Sequence, residues 1–153
     1  MSWSAFETDA PDLAELGRAA LVRDGIRQGL LATVRDGEPP RIHPVYVEIV
    51  DGRLFTFLLR SAKRGDLERD GRYALHAHQD PSVPTEFMVR GRATRVDDPS
   101  VRATAAQAWS FEVDESYALY ELAVESALVG LRDNADEWPP RYRSWSSGKT
   151  ATR

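Results

Sequence analysis

The sequence predicts a mainly β fold (β+α), in which about six to seven antiparallel strands form a small closed barrel with a few peripheral helices. Two Asp-Gly pairs separate runs rich in apolar and β-branched residues, which is the pattern of tight hairpins. Two later segments alternate apolar and polar residues with the period of two that half-buried strands have. Closing such strands into a barrel removes sheet edges that would otherwise be exposed.

The first predicted element is a helix over about residues 9–24. Thr8 or Asp9 can cap its start, and Pro11 suits its first turn. Gly25 is the residue type that commonly ends a helix. One N-terminal helix is therefore expected before the barrel, which we place over about residues 29–146 of a single domain, 1–153.

Three strands follow, over residues 29–35, 41–50 and 53–60, joined by Asp-Gly pairs at 36–37 and 51–52. The runs are rich in Val, Ile, Leu and Thr, and Asp-Gly supplies the turn chemistry between them. This part of the chain is expected to form a meander.

Shorter elements are expected in the second half of the chain. The segment 117–133 has helix-forming composition, but its apolar residues alternate, so we interpret it as a strand with an interruption. The remaining predictions are a short helix or turn at 61–71, strands at 72–80 and 85–98 separated by Pro81 and Pro84, a helix at 99–109 and a last short strand at 141–148.

The composition limits the classes of function. The chain has 153 residues and a net charge of −4, which argues against a general nucleic-acid role. No apolar run approaches the ~20 residues of a membrane-spanning helix, and the acidic start lacks the pattern of a secretion signal. Without cysteine, disulfides and thiolate metal sites are excluded. We expect a cytoplasmic protein with no nucleic-acid or membrane partner.

An anion-binding corner is one interpretation of Ser61, Lys63 and Arg64, which stand where a predicted strand gives way to a helix. Lys63 is one of only two lysines in the chain. A helix start offers free backbone N–H groups, Ser offers a hydroxyl, and two cations there oppose the helix dipole unless an anion is bound. The alternative is that both cations point into water beside acidic neighbours.

Histidines give weaker signals. His43 precedes Pro44 within a β-branched run, where a break would let backbone or ring atoms face a ligand; an edge strand that tolerates proline explains it as well. His76 and His78 would share one strand face and could hold a metal with His43 or Asp80, but His-x-His is an unspecific pattern and we predict no metal site.

Further candidates are Arg90 and Arg92, which either receive an anion or pair with carboxylates on the surface. The aromatic end of the chain, with Trp138 and Trp145, either covers a ligand or subunit contact or packs in the core. No nucleophile with an attendant base is evident, so the chemistry of an enzyme would come from a cofactor, and no catalytic residue is assigned.

The order of these pieces resembles the pyridoxamine 5′-phosphate oxidase-like family, the FMN- and F420-binding split β-barrels. The resemblance covers roughly residues 10–147 and rests on "GLLATVRDGEPPRIHPVYVEIVDGRLFTF", on "SAKRGDLERDGRYALH", and on the strand "FMVRGRATRVDD" with a helix after it. The second block, with Ser-x-Lys and then Asp-Leu, is the most specific of the three. The resemblance implies a split β-barrel of six to seven antiparallel strands.

The resemblance also implies a homodimer with cofactor sites between the subunits. It implies a flavin- or deazaflavin-dependent oxidoreductase acting on a small organic substrate, with FMN as the cofactor. F420 is the alternative, and its tail would suit Arg41, Arg60, Arg90 or Arg92; a non-enzymatic flavin- or haem-binding protein is another. The cofactor-binding residues implied are His43, Pro44, Val45, Leu59, Arg60, Ser61, Lys63 and Arg64. Ser61, Lys63 and Arg64 would hold the phosphate, and the others would lie along the ring.

The family pattern is not matched throughout. Related proteins often carry a further Arg near the lysine, where this chain has Ser61. The ending around Arg143 and Trp145 only loosely resembles the tail of true pyridoxamine phosphate oxidases. Oxidation of vitamin B6 itself is therefore not expected.

Overall fold

The computed structural model describes residues 1–82 and 85–148 and has four helices and ten strands within them. The helices are α1 (Trp3–Asp9), α2 (Pro11–Ala20), α3 (Ala62–Arg69) and α4 (Pro99–Gln107). The strands are β1 (Val22–Arg23), β2 (Ile26–Thr33), β3 (Arg41–Tyr46), β4 (Glu48–Val50), β5 (Arg53–Leu58), β6 (Arg72–His76), β7 (Glu86–Val96), β8 (Ala118–Leu122), β9 (Ser126–Leu131) and β10 (Arg141–Ser146). The mainly β prediction is confirmed, although the strands are more numerous than expected.

All strand pairs are antiparallel. The strands follow the order β1-β2-β6-β7-β8-β5-β4, while β3 pairs with β2, and β9 joins β7 to β10. Among the described residues β3 has no second neighbour, and no ladder joins it to β5. The sheet therefore stays open, as a split barrel requires, and the closed barrel expected from strand number alone is wrong.

The start of the chain differs from the prediction of one helix over 9–24. Asp9 ends α1 instead of starting a helix, and Ala10 is non-helical, because a following proline disfavours helical backbone at the residue before it. After α2 ends, Asp24 and Gly25 take φ values of 53° and 76° and turn the chain from β1 into β2. Gly25 is therefore a hairpin residue and not the end of a helix.

The core lies between the inner face of the sheet and the two N-terminal helices. Trp145 of β10 is buried and packs 5.0 Å from the ring centre of Phe6. Gly17 of α2 lies against Phe87, where an added Cβ would be 2.3 Å from the ring. Core packing is thus confirmed for Trp145, whereas Trp138 is 76% exposed and lies outside the core.

The longest strand, β7, connects the two halves of the sheet. Its first part pairs with β6 and β9, and its last part pairs with β8. Gly91 lies at this change of partners, and a Cβ on it would be 1.9 Å from the carbonyl oxygen of Ala123. A residue without a side chain is required there because two backbones meet.

None of the helices in the described part of the chain has the length and apolarity needed to cross a membrane.

Candidate anion-binding site

Ser61 is the N-cap of α3, as the sequence predicts. Its backbone is extended, and its Oγ accepts the N–H of Arg64 at 3.4 Å. The first turn of α3 contains no acidic residue. The helix therefore begins with free N–H groups and a positive dipole end that no carboxylate of its own offsets.

Lys63 and Arg64 in this first turn have different surroundings. The guanidinium of Arg64 donates to Oε1 of Glu68 at 3.2 Å, and the same oxygen accepts the hydroxyl of Tyr120 at 3.0 Å. Lys63 forms no ion pair with residues 1–82 or 85–148. The ammonium of Lys63 is thus available to a ligand, whereas the charge of Arg64 is already offset by Glu68.

The register of the sheet places the side chain of His43 on the inner face. His43 pairs with Leu31, which pairs with Leu75, which pairs with Val89. Leu31, Leu75 and Val89 are completely buried. Because side chains on a strand alternate between faces, Arg41 and Val45 point to the same inner side as His43.

Asp66 of α3 is a buried carboxylate next to Arg41. Its Oδ2 accepts the hydroxyl of Thr33 at 2.9 Å and the Nε–H of Arg41 at 3.0 Å, and its Oδ1 is buried without a partner in the described structure. Burial alone would raise the pKa of Asp66, but these two hydrogen bonds and the nearby charges of Arg41 and Arg35 outweigh it and lower the pKa.

His43 lies within the electrostatic reach of this cluster. Its Nε2 is buried and has no hydrogen-bond partner among the described residues. Burial is the largest cause that lowers the pKa of His43; the charges of Lys63 and Arg41 lower it further, and Asp66 opposes them. We name the group formed by Arg41, His43, Ser61 and Lys63 the anion corner, because it gathers cations and donors around a helix start with Asp66 as the adjacent countercharge.

The free edge of β3 exposes backbone groups of alternate residues. The N–H of Val47 donates to the carbonyl oxygen of Arg27 on β2. The N–H of Gln28, which lies opposite Tyr46 in the register, donates to the carbonyl oxygen of Leu21 and not to β3. Antiparallel pairs alternate between bonded and non-bonded, so the Leu30–Pro44 pair is non-bonded and Pro44 faces the free edge.

This alternation determines which backbone groups of the predicted ring-binding residues can reach a ligand. Val45 is buried and its backbone groups pair with β2, so neither its side chain nor its N–H is open to a ligand. On the side away from β2 the backbone N–H groups of β3 are those of Ile42 and Tyr46, and the carbonyl oxygen of Tyr46 accepts the hydroxyl of Thr56 at 2.9 Å. Proline at an exposed edge position is confirmed, and a ring contact at the edge stays a prediction.

Leu59 and Arg60 link the end of β5 to Ser61 and are both exposed. Leu59 is 47% exposed, which leaves an apolar side chain open beside the anion corner. Their roles in binding remain predictions.

The sequence did not predict that Thr33, Arg41 and Asp66 contact one another. The alternation of β3 places Arg41 and His43 on one face, and this pattern could have linked them. The contact with Asp66 joins positions 25 and 33 residues apart, and no local pattern specifies it.

Other sequence candidates lie away from the anion corner. His78 lines a cavity of about 340 Å³ together with Arg23 and Asp80. In the part of the chain that the structure describes, no three His, Asp or Glu side chains form a metal-binding group. Arg143 pairs with Asp12 at 2.6 Å and Trp145 is in the core, so neither lies at the corner.

Comparison with known proteins gives structural matches only. No family model matches the chain. No curated protein matches it either.

Several solved structures share the fold. A haem-binding protein from Mycobacterium smegmatis has a TM-score of 0.63 and 17% identity, over 85% of this chain and 57% of its own. A protein from Clostridium acetobutylicum, related to general stress protein 26 and of the pyridoxinephosphate oxidase family, has a TM-score of 0.62 and 13% identity, over 94% and 95%. A FAD-binding protein from Mesorhizobium loti has a TM-score of 0.54 and 18% identity, over 75% and 91%.

At these identities the likeness establishes the fold. The chain has the split β-barrel fold of the pyridoxamine 5′-phosphate oxidase-like proteins, as the sequence resemblance predicted. This chain spans a little over half of the haem-binding protein, at 57% of its length.

Proposed function

We propose that this chain binds FMN, with the phosphate at the anion corner, and acts as a flavin-dependent oxidoreductase on a small organic substrate. The observation that carries the proposal is Lys63, a cation without an ionic partner in the described chain, at the start of a helix capped by Ser61. Such a cation opposes the helix dipole unless an anion lies between them.

The donors of the corner fit a phosphate monoester. Lys63 supplies charge, Ser61 a hydroxyl, and the first turn of α3 its N–H groups. Arg41 is held through its Nε by Asp66, which leaves its terminal nitrogens to donate. Arg64 is held in the same way through its Nε by Glu68, so that its backbone N–H and its terminal nitrogens can also donate.

FMN would supply the transfer of a hydride or electron pair, and the protein would hold the ring and exclude water. The residues for the ring are those implied by the resemblance, at the free edge of β3 near Pro44 and at the exposed link containing Leu59 and Arg60. No side chain is assigned the role of a catalytic base.

We also propose a homodimer that uses the outer face of the sheet. The row Pro44, Leu30, His76, Met88 and Leu128 runs across five strands on the side opposite to the core. Its apolar members are partly exposed, and Ile42 beside them is 63% exposed. A second copy of the chain would bury this apolar row, and such self-association is the commonest assembly of soluble proteins.

Opposite charges flank this apolar row on one strand. Glu86 and Arg90 lie two residues to either side of Met88 and share its face. A two-fold axis that crosses β7 at Met88 would place Glu86 of one copy against Arg90 of the other, which is what a self-complementary surface needs. The cofactor site would then lie at the edge of this interface.

Two other ligands have specific support. F420 carries a charged tail, and two cations that could receive it, Arg72 and Arg92, lie opposite each other on the outer face of β6 and β7. Haem is supported by the fold of the haem-binding protein from Mycobacterium smegmatis. Either ligand would replace FMN in the proposal.

Side-by-side titration of the ligand-free protein with FMN, F420 and haem tests the proposal. We expect FMN to bind most tightly, with its absorption spectrum perturbed and inorganic phosphate competing. Tighter binding of F420, or a Soret band with haem and no response to FMN, would assign the other ligand. Binding of none of the three would contradict the proposal.

A further inference from the structure

The buried nitrogen of His43 has no role in the fold that its contacts explain. Nε2 is buried and has no partner among residues 1–82 and 85–148. A buried polar group without a hydrogen bond is unfavourable, and most such groups in proteins are paired. The ring leaves β3 on the inner side, next to Arg41, and lies within reach of the charges of Lys63 and Asp66 on α3. A hydrogen-bond acceptor held between Arg41 and Lys63 would give Nε2 of His43 the partner that it lacks.

We propose that the side chain of His43 binds the anion directly and takes up a proton as the anion binds, so that the corner prefers a dianion at mildly acidic pH. The inference rests on the proposed function, since it requires an anion at the corner. It assigns His43 to the phosphate end of the ligand, whereas the resemblance implied a place along the ring.

The electrostatic surroundings give the direction of this coupling. In the protein without ligand, burial, Lys63 and Arg41 lower the pKa of His43, and only Asp66 raises it. A dianion between Lys63 and Arg41 offsets the two repulsive charges. The pKa of His43 then rises on binding, and affinity increases as pH falls from the bound-state pKa toward the free-state pKa.

The chemical class of the ligand follows from the charge. A phosphate monoester or sulfate brings about two negative charges and offsets both neighbouring cations. A phosphodiester brings one and would cause less proton uptake. The amount of proton uptake on binding therefore distinguishes a phosphate monoester from a phosphodiester.

Sulfate is the suitable probe because it does not titrate near neutral pH, so any proton taken up belongs to the protein. Sulfate binding would be measured by calorimetry in two buffers with different ionisation enthalpies, from about pH 5 to 7.5, around the ordinary His pKa of about 6.5. We expect proton uptake by the unaltered protein and an affinity that rises about tenfold for each unit by which the pKa of His43 rises.

His43→Gln is the matched variant, because an amide keeps a donor and cannot take up the proton. We expect it to bind sulfate without proton uptake and with no dependence on pH from this source. An NMR titration of the His43 ring with and without sulfate would show the same rise of pKa in the unaltered protein.

Failure of the inference and failure of the proposed function are distinguishable. If sulfate and FMN bind and Lys63→Ala weakens both, but proton uptake is absent or persists in His43→Gln, the inference is wrong and the proposed function stands. If neither ligand binds, or Lys63→Ala changes nothing, the proposed function is wrong and the inference falls with it.

Discussion

Asp66 accepts the Nε–H of Arg41 at 3.0 Å through the same oxygen that accepts the hydroxyl of Thr33 at 2.9 Å. One carboxylate thus ties the strand carrying Arg41 and the strand carrying Thr33 to the helix of the anion corner. Asp66 is 2% exposed, whereas the side chain of Arg41 is 37% exposed and reaches solvent. The contact therefore orients the guanidinium of Arg41 and leaves it accessible to a ligand.

Asp66→Asn should lower the free energy of unfolding by about 1.5–3 kcal/mol, the range for hydrogen bonds to charged groups. The amide keeps the size of the side chain but loses the charge that faces Arg41. Urea unfolding measures the difference. Asp97→Asn is the control, since the side chain of Asp97 is 76% exposed in its pair with Arg95 and should change stability much less. Equal effects of the two changes would show that the buried hydrogen bonds of Asp66 add no more to the free energy of unfolding than a surface ion pair does.

The stabilising effect of Asp66 should disappear in acid. Its pKa is lower in the folded protein than in the unfolded chain, because the hydrogen bonds from Thr33 and Arg41 outweigh the opposing effect of burial. A lowered pKa contributes stability that is complete above the unfolded value of about 3.9 and is lost as pH falls through the folded value. Unfolding of the unaltered protein and Asp66→Asn at pH 6, 4 and 3 measures this. The difference between them should shrink below pH 4, and a constant difference would contradict the assignment.

Lys63→Ala should weaken binding of FMN by about 1.5–3 kcal/mol, since it removes a charge-assisted contact. Arg64→Ala is the neighbouring control, and its effect on affinity should be smaller than that of Lys63→Ala, because Glu68 already offsets the charge of Arg64. Flavin fluorescence quenching measures both affinities. The reverse order of effects would place the phosphate on the Glu68 side of the helix.

Replacement of glycine by alanine should have opposite effects on stability at Gly65 and Gly91. Gly65→Ala should raise stability by about 0.5–1 kcal/mol, since Gly65 lies within α3 and the nearest atom to an added Cβ is 3.8 Å away. Gly91→Ala should lower stability by at least about 3 kcal/mol or prevent folding, because the Cβ would be 1.9 Å from a backbone oxygen. Thermal unfolding measures both, and a mild effect at Gly91 would show that the sheet halves can separate there.

Ile42→Glu should convert the proposed dimer to a monomer, because it places a charge in the apolar outer face. Val22→Glu is the control, since Val22 is 44% exposed and pairs with Arg27, whose side chain has the opposite orientation to Leu30. Sedimentation velocity measures the mass of each. A monomeric unaltered protein, or a dimeric Ile42→Glu variant, would refute this use of the outer face.

Local chemistry in the sequence predicts much of this fold. Asp51 and Gly52 take positive φ values of 49° and 70° in the hairpin that their types predict, and Ser61 caps the helix expected after it. The interruption predicted at Glu125 and Ser126 is also present, since β8 ends at Leu122 and β9 begins at Ser126. In each case neighbouring residues alone set the conformation.

Long-range packing could not be predicted in the same way. Nothing near Trp138 and Trp145 in the sequence shows which of them lies in the core, since that depends on the distant Phe6. The pair Arg41 and Asp66 likewise depends on how α3 packs against the edge strand. Of the anion corner, the sequence predicted Ser61 and Lys63 from local pattern, and it missed the buried carboxylate that orients Arg41.

Pro44 faces the unpaired side of the edge strand, where it interrupts the row of N–H donors that another strand would need. A neighbouring molecule therefore cannot continue the sheet past this position with a regular ladder. We therefore expect the open edge to resist extension by a strand of another molecule, and replacement of Pro44 by a β-branched residue to remove this protection.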